Sequence, residues 1–287
     1  APAPSPSPLT IRSPEQGAVR VPEAPAPRLP DVVLWDQPLS SVNINAYVDQ
    51  DFIDYPAYSS YLADDFVNAD PWNITHIFVP GNGWNGFTTL ANAVSLVWAI
   101  YADSGGAPDG DPSGGGNPPV WTIALPPDDP QVALSNGTGG MPSNVTLNLA
   151  VPARLPAGHW WLVFYPVMSF GTGGQYGRQP ADTTNGYTAQ FINPGGGFGY
   201  GTSWQNWTVL GPTQQDIAFR LEGSVAQPAV QAVNVTFDAS VPEVTRPGRY
   251  YAQLKLVHDT PYILANIPVT MTVTAPATYG KLEGVVR

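Results

Sequence analysis

Leu155–Val167, which reads Leu-Pro-Ala-Gly-His-Trp-Trp-Leu-Val-Phe-Tyr-Pro-Val, constrains the fold more than any other stretch of the chain. A Pro-Ala-Gly turn leads into a run of aromatic and branched residues that carries no acidic or basic side chain besides one histidine. In an extended strand Trp160, Leu162 and Phe164 share one face, and His159, Trp161, Val163 and Tyr165 share the other. Both faces carry large apolar groups, so the strand must be covered on both sides. That places it near the middle of a two-layer β fold.

Composition agrees. Only 11% of the 287 residues are charged, while there are 29 glycines and 33 prolines. Asn, Gln, Ser and Thr supply most of the polarity, a mixture that suits short strands joined by many turns and suits helices poorly. The formal net charge is −11 and lysine occurs only twice. Nucleic acid and anionic membrane surfaces both need a basic face, so neither is an expected partner. Cysteine is absent, which removes disulfides, thiolate metal sites and cysteine nucleophiles. No apolar run approaches the roughly 20 residues of a helical membrane span. The Ala1-Pro-Ala-Pro start reads as a mature end left by signal removal, so the expected location is secreted, extracellular or at a cell surface.

Residues 1–30 hold nine prolines among Ala, Ser and Glu and read as an extended, polyproline-prone segment, a stalk or linker. Leu9/Ile11 and Val19/Val21 alternate within it like short strands, so the segment also qualifies as a donor strand for an exposed sheet edge. Residues 31–223 alternate strand and turn. The expected strands are Val32–Trp35, Val42–Val48, Tyr61–Val67, Asn73–Val79, Leu90–Tyr101, Val120–Leu125, Val132–Leu134, Asn144–Ala150, His159–Val167, Trp204–Leu210 and Ile217–Leu221, with Gly, Pro, Asn and Asp between them. The run Thr88–Tyr101 is open to a helical reading; Val94, Val97, Trp98 and Ile100 favour one long buried strand. About ten strands in some 190 residues predict an all-β, antiparallel jelly-roll-type sandwich. Residues 224–277 follow as a smaller unit with three strands, Ala232–Ala239, Arg249–His258 and Ile263–Thr274. Residues 278–287 form a linker or the start of a further strand.

Five segments come in one order: Ala63-Asp-Asp-Phe66, Trp72-Asn-Ile-Thr75, Ile100-Tyr-Ala-Asp-Ser-Gly-Gly-Ala-Pro108, Leu155-Pro-Ala-Gly-His-Trp-Trp161 and Asp216-Ile-Ala-Phe-Arg-Leu-Glu-Gly223. Together they resemble a jelly-roll accessory module of secreted bacterial multidomain proteins, often found beside subtilisin-like peptidases. The resemblance covers about residues 31–223 and implies an accessory role without catalytic residues. Val235-Thr-Phe-Asp238, Pro247-Gly-Arg-Tyr250 and Ile267–Val273 resemble the second half of immunoglobulin- or fibronectin-like modules, an incomplete β unit. Tyr279–Val286 resembles the opening strand of a carboxypeptidase-regulatory-like domain.

Candidate sites were weighed against plainer readings. Gly201-Thr-Ser203 looks like a peptidase serine, but His76, His159 and His258 lack the local setting such a serine needs, and a Gly-rich turn accounts for it. Asp64-Asp65, Asp128-Asp129 and Asp49/Asp51/Asp54 could serve as glycosidase carboxylates; solvated turn residues are the favoured reading. Asp103, Asp109 and Asp111 share a Gly-rich loop that offers oxygens for calcium, or else forms a disordered hairpin tip. Trp84, Trp204 and Trp207 are candidates for a sugar or partner platform, against a role as core filler. Asn73, Asn136, Asn144, Asn206 and Asn234 begin Asn-x-Thr sequons, against about two expected by chance; Asn144 and Asn234 alternate outward, so a glycoprotein is one reading and plain surface asparagines the other. No cofactor is expected. The function these readings favour is a non-catalytic extracellular structural or adhesive protein, a filament subunit assembled by strand donation; the alternative is an accessory carbohydrate- or protein-binding module of a secreted hydrolase.

Overall fold

The computed structural model describes residues 31–226, 247–256 and 265–275. Their contacts divide at Gln227 into a first unit and a second, smaller one. The strands of the first unit are β1 (Val32–Gln37), β2 (Tyr47–Val48), β3 (Asp51–Phe52), β4 (Tyr61–Asn68), β5 (Trp72–Val79), β6 (Gly81–Trp84), β7 (Ser95–Ala102), β8 (Trp121–Leu125), β9 (Val132–Asn136), β10 (Pro142–Leu155), β11 (Gly158–Met168), β12 (Gln175–Arg178), β13 (Gln190–Ile192), β14 (Gln205–Asn206) and β15 (Phe219–Val225). The one α-helix among the described residues is the single turn α1 (Phe170–Gly173).

One sheet runs β1-β15-β5-β10-β9 and the other β14-β13-β4-β11-β7-β8. The antiparallel pairs β1–β15, β4–β11, β5–β10 and β7–β8 are nested, first with last and innermost with innermost. Successive members of that nest alternate between sheets, which is the wrapping of a jelly roll. The expected all-β sandwich is the structure of this unit. A third sheet, β2-β12-β6, was not anticipated.

β11 lies between β4 and β7, as its two apolar faces require. Trp160, Leu162 and Phe164 enter the core between the two sheets, with Trp98, Ile100, Leu147, Ile77 and Phe219 among their neighbours. Trp161 and Val163 join Tyr61, Ala99 and Tyr101 in a separate cluster on the other side of the strand. On β5 both Ile74 and Ile77 point inward. An extra residue, Thr75, permits this: the register against β15 shifts there, and the Thr75 hydroxyl donates to the Glu222 carbonyl at 3.2 Å. Such a bulge re-aims one strand without breaking the sheet.

Several expected strands are corrected. Leu90–Asn92 is a 3₁₀ turn capped by Thr89, and β7 begins only at Ser95; Val94 is exposed, because it precedes the strand. Of Val42–Val48 only Tyr47–Val48 is strand, and Val42 and Ile44 face solvent. Trp204–Leu210 reduces to β14 followed by a 3₁₀ turn, Trp207–Leu210, capped by Asn206. β15 starts at Phe219 and continues past Gly223 to Val225.

In the second unit β16 (Gly248–Leu256) and β17 (Ala265–Val273) form an antiparallel ribbon in continuous register, from Gly248 opposite Val273 to Leu256 opposite Ala265. These are two of the three expected strands; Ala232–Ala239 lies outside the described residues, as do Leu9, Ile11, Val19 and Val21 of the donor segment.

Candidate aromatic cleft

At the end of the sandwich where β11 finishes, loops bring together Phe52, Tyr55, Tyr58, Phe170 and Phe198, with Asn85 and Gln175, around an open cleft of about 320 Å³. Tyr55, Tyr58 and Phe170 are the most exposed of its rings. Each ring is fixed from beneath. β3 pairs in parallel with Val167–Met168 of β11, which sets Phe52. The Asp54 carboxylate accepts from the Ser169 hydroxyl at 2.8 Å, the Phe170 amide at 2.8 Å and the Gly171 amide at 2.9 Å. Desolvation, the largest single effect, works against it, yet these bonds together hold the Asp54 carboxyl below its ordinary range. The buried Asn193 amide donates to the carbonyls of Ala57 (2.9 Å) and Ser59 (2.8 Å), and its oxygen accepts from the Phe198 amide at 2.9 Å. Phe198 is thereby held edge-on to Tyr58, with ring centres 5.1 Å apart. Tyr55 stands edge-on to Phe170 at 6.0 Å.

The polar rim is as well defined. Asn85 takes a left-handed backbone, φ 50°, and its amide donates to the Gln175 side-chain oxygen at 2.9 Å. One acceptor on Asn85 and one donor group on Gln175 remain for a ligand. The cleft therefore offers rigid ring faces and edges with paired amides at one side, and no ionisable carboxyl, amine or imidazole. Its rings and amides equip it to bind.

The expected site residues are distributed elsewhere. Trp207 is fully buried and its indole donates to the Gln215 carbonyl at 2.8 Å, so it is core rather than platform. Trp84 and Trp204 are half-buried, and Trp204 donates to the Gly110 carbonyl at 2.9 Å. None of the three lines the cleft. Asp103, Asp109 and Asp111 sit in the connection of the β7–β8 hairpin, a loop closed by the bridges Asp103–Pro108 and Gly110–Gly116. Asp103 accepts from the Gly106 amide and the Trp161 indole, Asp111 from Ser113, and among the described residues no three such side chains converge as metal ligands. Asn136 is exposed at the end of β9; Asn73 and Asn144 are half-buried, and Asn144 is bonded to the Gly81 amide and the Asn136 carbonyl, each at 3.1 Å. Asn206 caps the turn after β14, and Asn234 lies outside the described residues.

The carboxylates depart most from expectation. Asp49, Asp64 and Asp65 are fully buried and are not solvated turn residues. Asp64 accepts from the Gln37 side chain (2.7 Å), the Ile217 amide (2.6 Å) and the Asp65 amide (2.9 Å). Asp65, on the opposite face, accepts from the Tyr187 amide and from the His159 ring, and the Tyr187 ring stacks on both His159 and Trp161. The buried guanidinium of Arg178 reaches the carbonyls of Leu62 and Leu162 at 3.5 Å and forms no ion pair with a carboxylate. Burial raises Asp49 and Asp64 well above the ordinary range, while the field of Arg178 pulls both down. Ser203 is exposed and makes no hydrogen bond to a histidine among the described residues.

Comparison with protein-family models, with curated proteins and with solved structures returned no match. The cleft itself had little signature in the sequence. Tyr55-Pro-Ala-Tyr58 was the one local signal, an aromatic pair across a Pro turn, whereas Phe52, Phe170 and Phe198 converge only through the fold.

Proposed function

We propose that this chain is a non-catalytic, secreted adhesive module that holds a neutral polysaccharide across the cleft of Tyr55, Tyr58, Phe170 and Phe198. The observation that carries the reading is the pairing of exposed, pre-positioned rings with two amide side chains in a cleft without charge. Pyranose rings present C–H faces that stack on aromatic rings, and their hydroxyls bond to amides. Because the rings are already clamped by Asp54 and Asn193, binding orders little of the protein and keeps most of the contact energy. The resemblance to accessory modules of secreted hydrolases supports the same role.

Affinity electrophoresis through gels containing neutral polysaccharides tests it. Full-length protein should be retarded by at least one of them, and Tyr55→Ala/Tyr58→Ala should lose about 1–3 kcal/mol, roughly 5- to 100-fold in affinity. A chain that no polysaccharide retards, or whose retardation survives the double substitution, defeats the proposal. An aromatic groove also fits polyproline segments. A peptide of residues 1–12 that binds the cleft in place of every polysaccharide would assign it to a peptide instead.

A further inference from the structure

A second cavity, of about 360 Å³, lies on the outer face of the β7–β8 side of the second sheet, roofed by the loop between those strands. Its floor is Val97 and Ala99, its walls are Tyr101, Tyr165 and Thr122, and Asp111 and Asn117 stand at its rim. The roof is a built structure. The Asp111 amide donates to Gly115 at 2.8 Å, the Asn117 amide to the Asp109 carbonyl at 2.9 Å, and the Trp204 indole braces Gly110 from behind. Gly116 adopts φ +71°, and a side chain there would overlap the Asp109 carbonyl, so the loop's path depends on that glycine.

Three features of this cavity have no role in the fold. Tyr101 is only 3% exposed, yet among the described residues its hydroxyl has no hydrogen-bond partner. The little of this side chain that solvent reaches includes the hydroxyl, which is therefore open to a ligand from the cavity. Asp111 uses Oδ1 on Ser113 and leaves Oδ2 without a protein partner. The neighbouring Asp109 keeps Oδ1 unpaired as well. No lysine or arginine lines the cavity to balance these carboxylates. Their field is felt inside: burial first, then Asp111 and Asp109, push Tyr101 up to about 12.

We infer that this cavity is a binding site for an organic ammonium group, with Asp111 as counter-ion, the Tyr101 hydroxyl as acceptor and the Tyr101 and Tyr165 rings as walls. A cation gains from ring faces and from an unpaired carboxylate at once. An anion is repelled. A neutral ligand leaves the carboxylates uncompensated, and a hard metal ion finds apolar and aromatic walls where it needs six or more oxygens. The ammonium could be carried by a lysine side chain or by an amino sugar. The site is separate from the aromatic cleft and does not depend on what the cleft binds.

The test is a titration of ¹⁵N-labelled full-length protein followed at the amides of Gly114, Gly116 and Asn117. Nα-acetyl-lysine amide and glucosamine are the charged probes; Nα-acetyl-norleucine amide and N-acetylglucosamine are their neutral counterparts. At least one charged probe should shift these amides, with a Kd of about 1–10 mM, and which one does so identifies the source. The neutral counterparts should bind at least tenfold more weakly. Asp111→Asn keeps the Oδ1 acceptor that holds Ser113, so the loop persists while affinity falls at least tenfold. Tyr101→Phe should weaken binding severalfold, and Tyr58→Ala in the cleft should leave it unchanged. Equal binding of charged and neutral probes, full affinity in Asp111→Asn, no shift with any probe, or calcium chloride moving the same amides and displacing the probes would each overturn the assignment.

Discussion

Replacing Arg178 by methionine removes the one cation among the described residues that acts on Asp49 and Asp64 in the interior. Much of the apolar stem is kept; the guanidinium and its two long bonds to the Leu62 and Leu162 carbonyls are lost, and only the electrostatic part of the effect varies with pH. Burial raises both carboxyls and pushes the guanidinium's own affinity for its proton down; Arg178 is the largest effect opposing the rise at Asp49 and joins the Ile217 amide in opposing it at Asp64. Without it both carboxyls are raised further in the folded state. Relative to an unfolded carboxyl near 3.9, a carboxyl driven from charged to protonated on folding costs at most about 4 kcal/mol at pH 7 and about 1.5 kcal/mol at pH 5. Relief of the guanidinium's burial returns part of this. The expected loss is about 3 kcal/mol at pH 7, at the low end for breaking a buried charge arrangement, and about 1 kcal/mol at pH 5.

Thermal melts followed by tryptophan fluorescence read this directly, since the chain carries nine tryptophans. For a unit of this size the loss converts to a fall in Tm of about 6–12 °C at pH 7 and about 2–4 °C at pH 5. The wild type should also be more stable at pH 5 than at pH 8. Asp49, Asp64, Asp65 and Asp216 are all raised, Asp216 to about 6. A carboxyl raised in the folded state binds protons more tightly there than in the unfolded chain. Its stabilising contribution is full below the unfolded value and is lost as pH rises through the folded one. Equal losses for Arg178→Met at both pH values would refute the assignment of Arg178 as counter-ion.

Two further outcomes follow from the same structure. Gly174 closes α1 with φ +73°, and a Cβ there would overlap the Phe87 backbone, so Gly174→Ala should lower stability by about 1–3 kcal/mol in chemical unfolding, and a neutral result would contradict the close approach that sets the cleft's Phe170 and Gln175. In the second unit β16 and β17 pair only with each other among the described residues, which leaves sheet edges for another strand; deleting residues 1–22 should reduce particle size in light scattering, and an unchanged size distribution would remove that segment as the donor.

How much of this was legible in the sequence depends on the kind of interaction. The position of β11 was, because Trp160 and Trp161 force burial on two faces and only a central strand provides it. So was the jelly roll, through strand number and turn chemistry. Thr88–Tyr101 was read as one strand because its apolar run is continuous; Thr89 capping a 3₁₀ turn at Leu90–Asn92 interrupts it locally, a signal weaker than the run. The buried carboxylates were illegible for a different reason. Asp64 lies on a strand whose neighbours are Ala63 and Phe66, and its partners Gln37 and Ile217 are 27 and 153 residues away. Nothing local marks a carboxylate whose solvent is replaced by such distant donors.

Both candidate sites depend on loops, and the fold explains why. The strands of the sandwich commit one face of each sheet to the core, and the second sheet has its other face covered by the Tyr61, Tyr101 and Trp161 cluster. Apolar side chains of the aromatic cleft therefore come mostly from connections, while the second cavity pairs outer-face strand residues with the loop above them. Loops rich in glycine and proline reach that role only if something else makes them rigid. Here polar side chains and backbone bonds do so: the buried Asn193 under Phe198, the exposed Asp54 under Phe170, and the Asn117 amide on the Asp109 carbonyl across the roof of the cavity. A chain poor in lysine and arginine has few ion pairs to place at its loops, and among the described residues its ion pairs are His76–Asp31, His159–Asp65 and Arg220–Glu222. Amide and carboxylate bonds to backbone take over that task. The same choice leaves spare acceptors at loop edges without compensating cations, which is the condition the Asp111 cavity displays.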